Sequence, residues 1–333
     1  MSNITDNTID LDQLFAEGKE LPEIAPAPGE RWFPLETRLE DDLKDYWGGD
    51  WGCSSEVSRL RAVLLCRPGK EIESFDHEKV RFRSQIDPEK FRAQHDLLAD
   101  YYRSQGVAVY YIENGRIDRP NAVFVRDRIF MTPEGAIITR MSMPERRGEE
   151  RYVTEAVAKL GIPIVKTISA DGIFEGANAM WVDRHTVILS LSVRANQSGY
   201  NQMVDALKLQ GVTDFITMQI PYGHAHVDGL MNFVREDLVL VHAMQVPYVV
   251  VDALKKKGIQ ILETNSMTEA KYGYSTNFVA IEPGHVVTSN KSPKTVELLE
   301  KHGVKVDVLD LSELNKGRGS VHCMTSFLKR DKN

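Results

Sequence analysis

Four short segments of this 333-residue chain carry side chains able to attack, protonate or grip a substrate. PYGHAHVDGLMNF places His224, His226 and Asp228 within five residues. Two chemistries fit this pattern. H-x-H-x-D can ligate a divalent metal, or His226 can act as a general acid/base beside a substrate-binding Asp228. Alternation at strand period predicts that the three side chains point the same way. GRGSVHCMTSF places Cys323 after Gly317 and Gly319, whose missing side chains suggest backbone held close to something. Arg318 and His322 lie beside it, and positive charge lowers a thiol pKa, so the segment predicts a thiolate. Asp127 closes the apolar run AVFVRD, which reads as a strand end. Glu175 precedes Gly176 in IFEGAN, where glycine at a strand start allows a ligand or side chain to approach closely. Taken singly, each has an ordinary explanation. Asp127 can pair with Arg126 or Arg128, Glu175 can be a solvated loop residue, and a lone His or Cys can be structural. Cys66 lies in an apolar strand and reads as core, and Cys53, like Cys66, lacks charged company.

Residues so far apart share a site only if the chain returns regularly to one place. Five glycines, Gly106, Gly161, Gly211, Gly258 and Gly303, each end a helix-like stretch and lead into a strand, 45 to 55 residues apart. Such a period predicts a repeated supersecondary unit. Helical apolar spacing runs through KFRAQHDLLADYYRSQG, ERYVTEAVAKLG, SGYNQMVDALKLQG, VPYVVVDALKKKG and SPKTVELLEKHG. Each unit reads as strand, turn, strand, helix, strand. Five of them close into a ring more readily than into one long sheet, because each has a face that only a neighbour can cover. Asp127, Glu175, His226/Asp228 and Cys323 fall in successive units. The repeat is expected to occupy 54–328 as one domain. Residues 1–53 are expected to be an extension, flexible in its acidic, proline-bearing first part and packed on the core at its end by Trp32, Trp47 and Trp51.

Composition narrows the function. A net charge of −7 and a sequence pI near 5.8 argue against general nucleic-acid binding, which needs basic patches, and mildly favour a cationic substrate. No apolar run reaches the roughly 18–20 residues of a membrane helix. The start shows no basic and apolar secretory pattern, so a cytoplasmic, membrane-independent protein is expected. Three widely spaced cysteines without a CxxC pair predict neither a disulfide framework nor a thiolate zinc site.

The segments NAVFVRD, AIITRMSMPERRGEE, FEGANAMWVD, LSVRANQSG, HVDGLMNF, TNFVAI and GSVHCMT together resemble the guanidino-group-modifying enzymes, the pentein superfamily. The resemblance covers roughly residues 54–328. It implies an α/β fold, a five-bladed α/β propeller of ββαβ-type repeats with pseudo-fivefold symmetry. It implies a cysteine-dependent hydrolase of C–N bonds in linear amidines, acting on arginine or a substituted arginine or guanidine through a covalent amidino-thioether. By position, Cys323 resembles the nucleophile, His226 the general acid/base and Glu175 its orienting carboxylate. Asp127 and Asp228 resemble the pair gripping the guanidinium. Arg147 (or Arg146) and Arg194 resemble residues holding a substrate carboxylate, and Arg318 is similar to an arginine of deiminases. The sequence departs from the pattern at Asn178, where aspartate is common, and at Ala195, where threonine is usual. The extra helical module of typical arginine deiminases is missing. An amidinotransferase is the alternative, with a metallohydrolase built on His224, His226 and Asp228 behind it. The expected partner is a small guanidino substrate, with no metal, cofactor or nucleic acid, in a homo-oligomer.

Overall fold

The computed structural model describes residues 11–18, 35–113 and 115–332. The chain divides into two compact units, Met1–Arg38 and Leu39–Asn333. The first contains helix α1 (Leu11–Ala16). Trp32 and most of the first thirty residues lie outside the described residues. The second unit begins ahead of the expected boundary at residue 54. Its first helix, α2 (Leu39–Tyr46), buries Leu43. Trp51 packs edge-on against Tyr110 at 5.6 Å, whereas Trp47 is about half exposed.

Five three-stranded sheets make up this second unit, a five-bladed α/β propeller. The first complete blade holds β3 (Ile129–Thr132), β4 (Gly135–Ile138) and β5 (Ile164–Thr167), with helix α4 (Glu150–Lys159) before β5. The next holds β6 (Ala179–Asp183), β7 (Thr186–Leu191), helix α5 (Gln197–Leu209) and β8 (Asp214–Gln219). The third holds β9 (Met231–Arg235), β10 (Leu238–Val241), helix α6 (Tyr248–Lys256) and β11 (Gln260–Glu263). The fourth holds β12 (Val279–Glu282), β13 (His285–Ser289), helix α7 (Pro293–Lys301) and β14 (Lys305–Leu309). The last is assembled from both ends of the unit: β1 (Leu60–Leu65), helix α3 (Pro88–Ser104) and β2 (Ala108–Tyr111) accept the C-terminal strand β15 (Ser326–Arg330) beside β1. The ring is therefore closed by a pairing between residues more than 260 positions apart.

Local chemistry explains the repeat. In every blade the middle strand runs antiparallel to the first and parallel to the third, as a hairpin followed by a helical crossover requires. The middle strands β4, β7, β10 and β13 are buried almost throughout, and the outer strands β5, β8 and β14 are largely exposed. Helix α3 shows how the pieces are specified. Asp87 caps it by accepting from the backbone N–H groups of Glu89 and Lys90, and Pro88 fixes its first turn. Phe91, His95, Leu98 and Tyr102 form its buried stripe, and the helix packs on β2. Burial of each such large apolar side chain contributes about 1.5–3 kcal/mol. All five helix-ending glycines have φ between 70° and 86°, the left-handed conformation that a Cβ disfavours.

The blades present their first strands to the axis, each preceded by a short turn. These turns touch in sequence around the ring. The 3-10 helix Val125–Arg128 packs on Gly176–Asn178, which packs on Val227–Gly229. Thr276 Oγ1 donates to the carbonyl of Asp228 at 2.9 Å. Asn277 Oδ1 accepts from the backbone N–H of Ser320 at 3.1 Å and of Cys323 at 3.2 Å. The N–H of Arg126 donates to the Cys323 carbonyl at 3.1 Å and completes the circle.

This arrangement corrects three local expectations. AVFVRD is not a strand but two 3-10 turns, 120–123 and 125–128. The segment around His226 is a loop and a 3-10 turn, so His224, His226 and Asp228 diverge. Gly176 makes room for backbone: a Cβ there would lie 2.5 Å from the carbonyl oxygens of Arg126 and Ile129.

Candidate active site

The ring of turns gathers the reactive side chains. Glu175, Asp127 and Asp228 are buried, and Cys323 and His226 are partly so. His226 Nε2 lies 2.8 Å from Glu175 Oε2, and its Nδ1 lies 3.7 Å from Asp127 Oδ1. That Asp127 oxygen is buried and has no hydrogen-bond partner. The other Asp127 oxygen is held by Arg146, whose guanidinium also bonds Glu149 at 2.9 Å. Asp228 Oδ2 accepts from Asn277 Nδ2 at 3.1 Å and lies 3.4 Å from Cys323 Sγ. Asn277 Nδ2 also reaches Sγ at 3.0 Å. His224 turns toward His242 instead, with ring centroids 6.3 Å apart.

Glu175 is fixed on two sides. Its Oε1 accepts from the backbone N–H of Ser142 at 2.9 Å and from Ser142 Oγ at 2.8 Å. Arg194 Nη1 donates to the same hydroxyl at 2.9 Å and lies 3.7 Å from Glu175 Oε1. Arg194 Nε is buried without a partner. An open groove bounded by Ser192, Val193, Ala195, Gln219 and Tyr222 runs along the Arg194 loop. Arg147 is exposed, its Nη2 donating to the Ser142 carbonyl at 3.1 Å. Arg318 is exposed on left-handed backbone with φ 66°. Gly319 lies against Phe124: a Cβ there would sit 2.4 Å from that ring and 3.1 Å from Cys323 Cβ.

The electrostatics assign different protonation states to the ring and the thiol. Burial alone would lower the His226 pKa, but Asp127 and the hydrogen-bonded Glu175 outweigh it and hold the ring above its ordinary value. Burial opposes ionisation of Glu175, and His226 with Arg194 and Arg146 more than compensates, so this carboxyl lies below its usual range. Burial, Asp228 and Asp127 push the Cys323 thiol well above its ordinary value, against weaker opposing bonds from Ser320 and Asn277. The expected thiolate is thereby corrected. Arg318 faces solvent, and the His322 ring is turned onto Asp228 and Glu56. Alkylation of Cys323 by neutral iodoacetamide is accordingly expected to accelerate still as pH rises past the ordinary thiol value of 9.0. A midpoint below that value would show that the carboxylates do not face the thiol. Cys53 and Cys66 are fully enclosed, and burial pushes the Cys53 thiol up to about 12.

Among the described residues, one set of three potential metal ligands comes within 4.8 Å: Asp127, Glu175 and His226. It differs from the H-x-H-x-D set read in the sequence. Arg146 on Asp127, Arg194 near Glu175 and the proton on His226 already meet its negative charge. Asn277 and Glu56 were not singled out in the sequence, and Arg146, named there as an alternative to Arg147 for a substrate carboxylate, is buried and bonded to Asp127 and Glu149 instead. Asn277 had a signal, because TNFVAI places it just before a first strand, as VRDRIF places Asp127.

The profile described as N,N dimethylarginine dimethylhydrolase, eukaryotic, matches residues 69–330. The chain belongs to this family. It thus lies within the guanidino-group-modifying superfamily, in agreement with its propeller fold. YkgA, an uncharacterized protein of Bacillus subtilis, is 25% identical over 287 residues, covering 84% of this chain and 95% of its own length. An arginine deiminase of Limosilactobacillus reuteri is 21% identical over 401 residues, covering 84% of this chain and 97% of its own. A cysteine-to-serine mutant of the dimethylarginine dimethylaminohydrolase from Pseudomonas aeruginosa, complexed with citrulline, has a TM-score of 0.68 at 22% identity. That likeness spans 81% of this chain and 100% of the other, and shows the shared fold. No helix among the described residues is long and apolar enough to cross a membrane.

Proposed function

We propose that this protein is a cysteine-dependent hydrolase of guanidino compounds, acting on arginine or a substituted arginine through a covalent amidino-thioether. Family membership supports hydrolysis at a guanidino carbon. The observation that carries the reading is the unpartnered, buried Asp127 Oδ1 facing the same space as Asp228, the Cys323 thiol and the His226 ring. Two carboxylates, a proton-bearing imidazole and a neutral thiol make a site short of one planar cation with several N–H donors. A guanidinium supplies it, and bidentate carboxylate contacts would fix its plane.

The chemistry follows from the protonation states. The bound cation offsets the carboxylate field that keeps Cys323 protonated, so the thiol proton is released to solvent and Sγ attacks the guanidino carbon. Nε2–H of His226 is engaged by Glu175, leaving Nδ1 to protonate the departing nitrogen as the C–N bond breaks. The amidino-thioether then meets water. His226, now neutral, takes a proton from that water as its oxygen bonds to carbon. Collapse breaks the C–S bond and releases a urea-type product and the thiolate. An acceptor amine in place of water would make the reaction an amidino transfer. Assaying a panel of guanidines for ammonia, alkylamine and urea-type products, with and without acceptor amines, tests the proposal. Absence of turnover across the panel overturns it, and amine-dependent product alone would favour transfer.

For an amino-acid substrate the acid group needs a cation. Arg194 is the best-supported candidate, because its Nε is buried and unpartnered and its Nη1 lies 3.7 Å from Glu175, next to the reactive set. Arg147 and Arg318 are exposed and would act nearer the mouth. Arg194→Ala is expected to raise KM for arginine-like substrates by about 10- to 100-fold, the loss of a charge-assisted hydrogen bond. An alkylguanidine lacking a carboxylate should be affected much less. Equal effects on both would mean that Arg194 serves Glu175 and not a substrate acid.

A further inference from the structure

Behind Asp228 lies a row of buried charges that the reaction scheme leaves unused. His322 is 1% exposed. Its Nδ1 lies 2.8 Å from Asp228 Oδ2 and its Nε2 lies 3.5 Å from Glu56 Oε2. The other Glu56 oxygen accepts from Arg126 Nη2 at 2.9 Å and from the backbone N–H of Trp181 at 3.2 Å. Arg126 is in turn covered by the rings of Phe130 and Phe327, at 5.7 and 5.0 Å. The row runs Asp228, His322, Glu56, Arg126.

The row matters because of where it ends. Asp228 Oδ2 accepts from both His322 and Asn277 and touches Cys323 Sγ. Held by two donors on one oxygen, the carboxylate cannot rotate, and its second oxygen keeps a fixed direction. We infer that His322 is a positioning residue: through its hydrogen bond it orients Asp228 for the guanidinium. The inference rests on the guanidine-hydrolase reading above.

Two substitutions separate this role from simple packing. In His322→Asn the amide nitrogen stands where Nδ1 does and can still donate to Asp228. In His322→Gln it stands nearer Nε2 and serves Glu56 instead. The asparagine variant is expected to keep kcat/KM within about fivefold of wild type, and the glutamine variant to lose about 10- to 100-fold, chiefly through KM. Asp228 held in place keeps raising the Cys323 thiol, so the pH midpoint for iodoacetamide alkylation should match wild type in the asparagine variant and shift in the glutamine variant. That midpoint also senses Asp127, Asp228, His226 and Glu56, which are unchanged in either variant. Cys323→Ser identifies the alkylated site, and thermal unfolding reports stability. Equal catalytic loss in the two variants, or the same alkylation midpoint in both, overturns the inference. If the wild-type protein turns over no guanidine, the functional reading fails, and the alkylation measurement alone decides the role of His322.

Discussion

Cys323→Ser is expected to lower turnover by roughly 10⁴-fold or more, with an unfolding temperature close to wild type. The replacement exchanges one small atom for another at a half-buried position, and changes of that kind stay within about 1 kcal/mol. The chemical loss is far larger. A hydroxyl is much less acidic than a thiol, and the field of Asp228 and Asp127 that raises the thiol would disfavour an alkoxide still more. No adjacent base compensates, because His226 is engaged by Glu175 and holds its proton. Product release and intact-mass detection of an amidino adduct are the readouts. An active serine variant would eliminate the thiol mechanism. An inactive variant that is also unfolded would show only that Cys323 is structural.

The second large effect is expected at Asp127. Asp127→Asn should cut kcat/KM by about 10²- to 10³-fold, raising KM and lowering kcat together. The amide places a donor where the structure shows acceptors, either against Arg146 or against the incoming guanidinium. It also removes the largest charge holding a proton on His226, so the ring should titrate at lower pH. A group with a raised pKa loses its protonated form earlier when its anionic neighbour is removed. The alkaline limb of the rate profile assigned to His226 therefore moves downward in pH. Arg146 keeps Glu149 but loses one buried partner, so some fall in stability is expected as well. A variant that loses only stability, with KM and the pH profile unchanged, would confine Asp127 to holding Arg146.

The site also shows how the protein stores a cysteine. Ordinary reactive thiols sit near positive charge and are ionised at rest. Cys323 faces carboxylates that, with burial, push its thiol well above the ordinary value, so under the proposed mechanism its reactivity depends on the arrival of a cation. On that proposal the carboxylates that would bind the substrate also suppress the nucleophile when the site is empty.

The repeat was legible because its signals are local. A glycine past a helix must adopt positive φ wherever the helix sits, and helical apolar spacing is set by neighbours three and four residues away. Hence the five units, their order and the convergence of Asp127, Glu175, His226, Asp228 and Cys323 followed from spacing together with the family likeness. Three features escaped. The turns carrying Asp127 and His226 resembled strands because short apolar runs do not distinguish strand from 3-10 turn. The partner that completes the last blade, β15, lies at the far end of the chain, and no local pattern reports strand pairing over that distance. Charge assignments depended most on three dimensions. Arg318 and His322 adjoin Cys323 in sequence yet do not lower its pKa, whereas Asp127 and Asp228, about 200 and 100 residues away, raise it. Coulomb energy follows distance through space, and in a propeller the shortest paths run between turns of different blades.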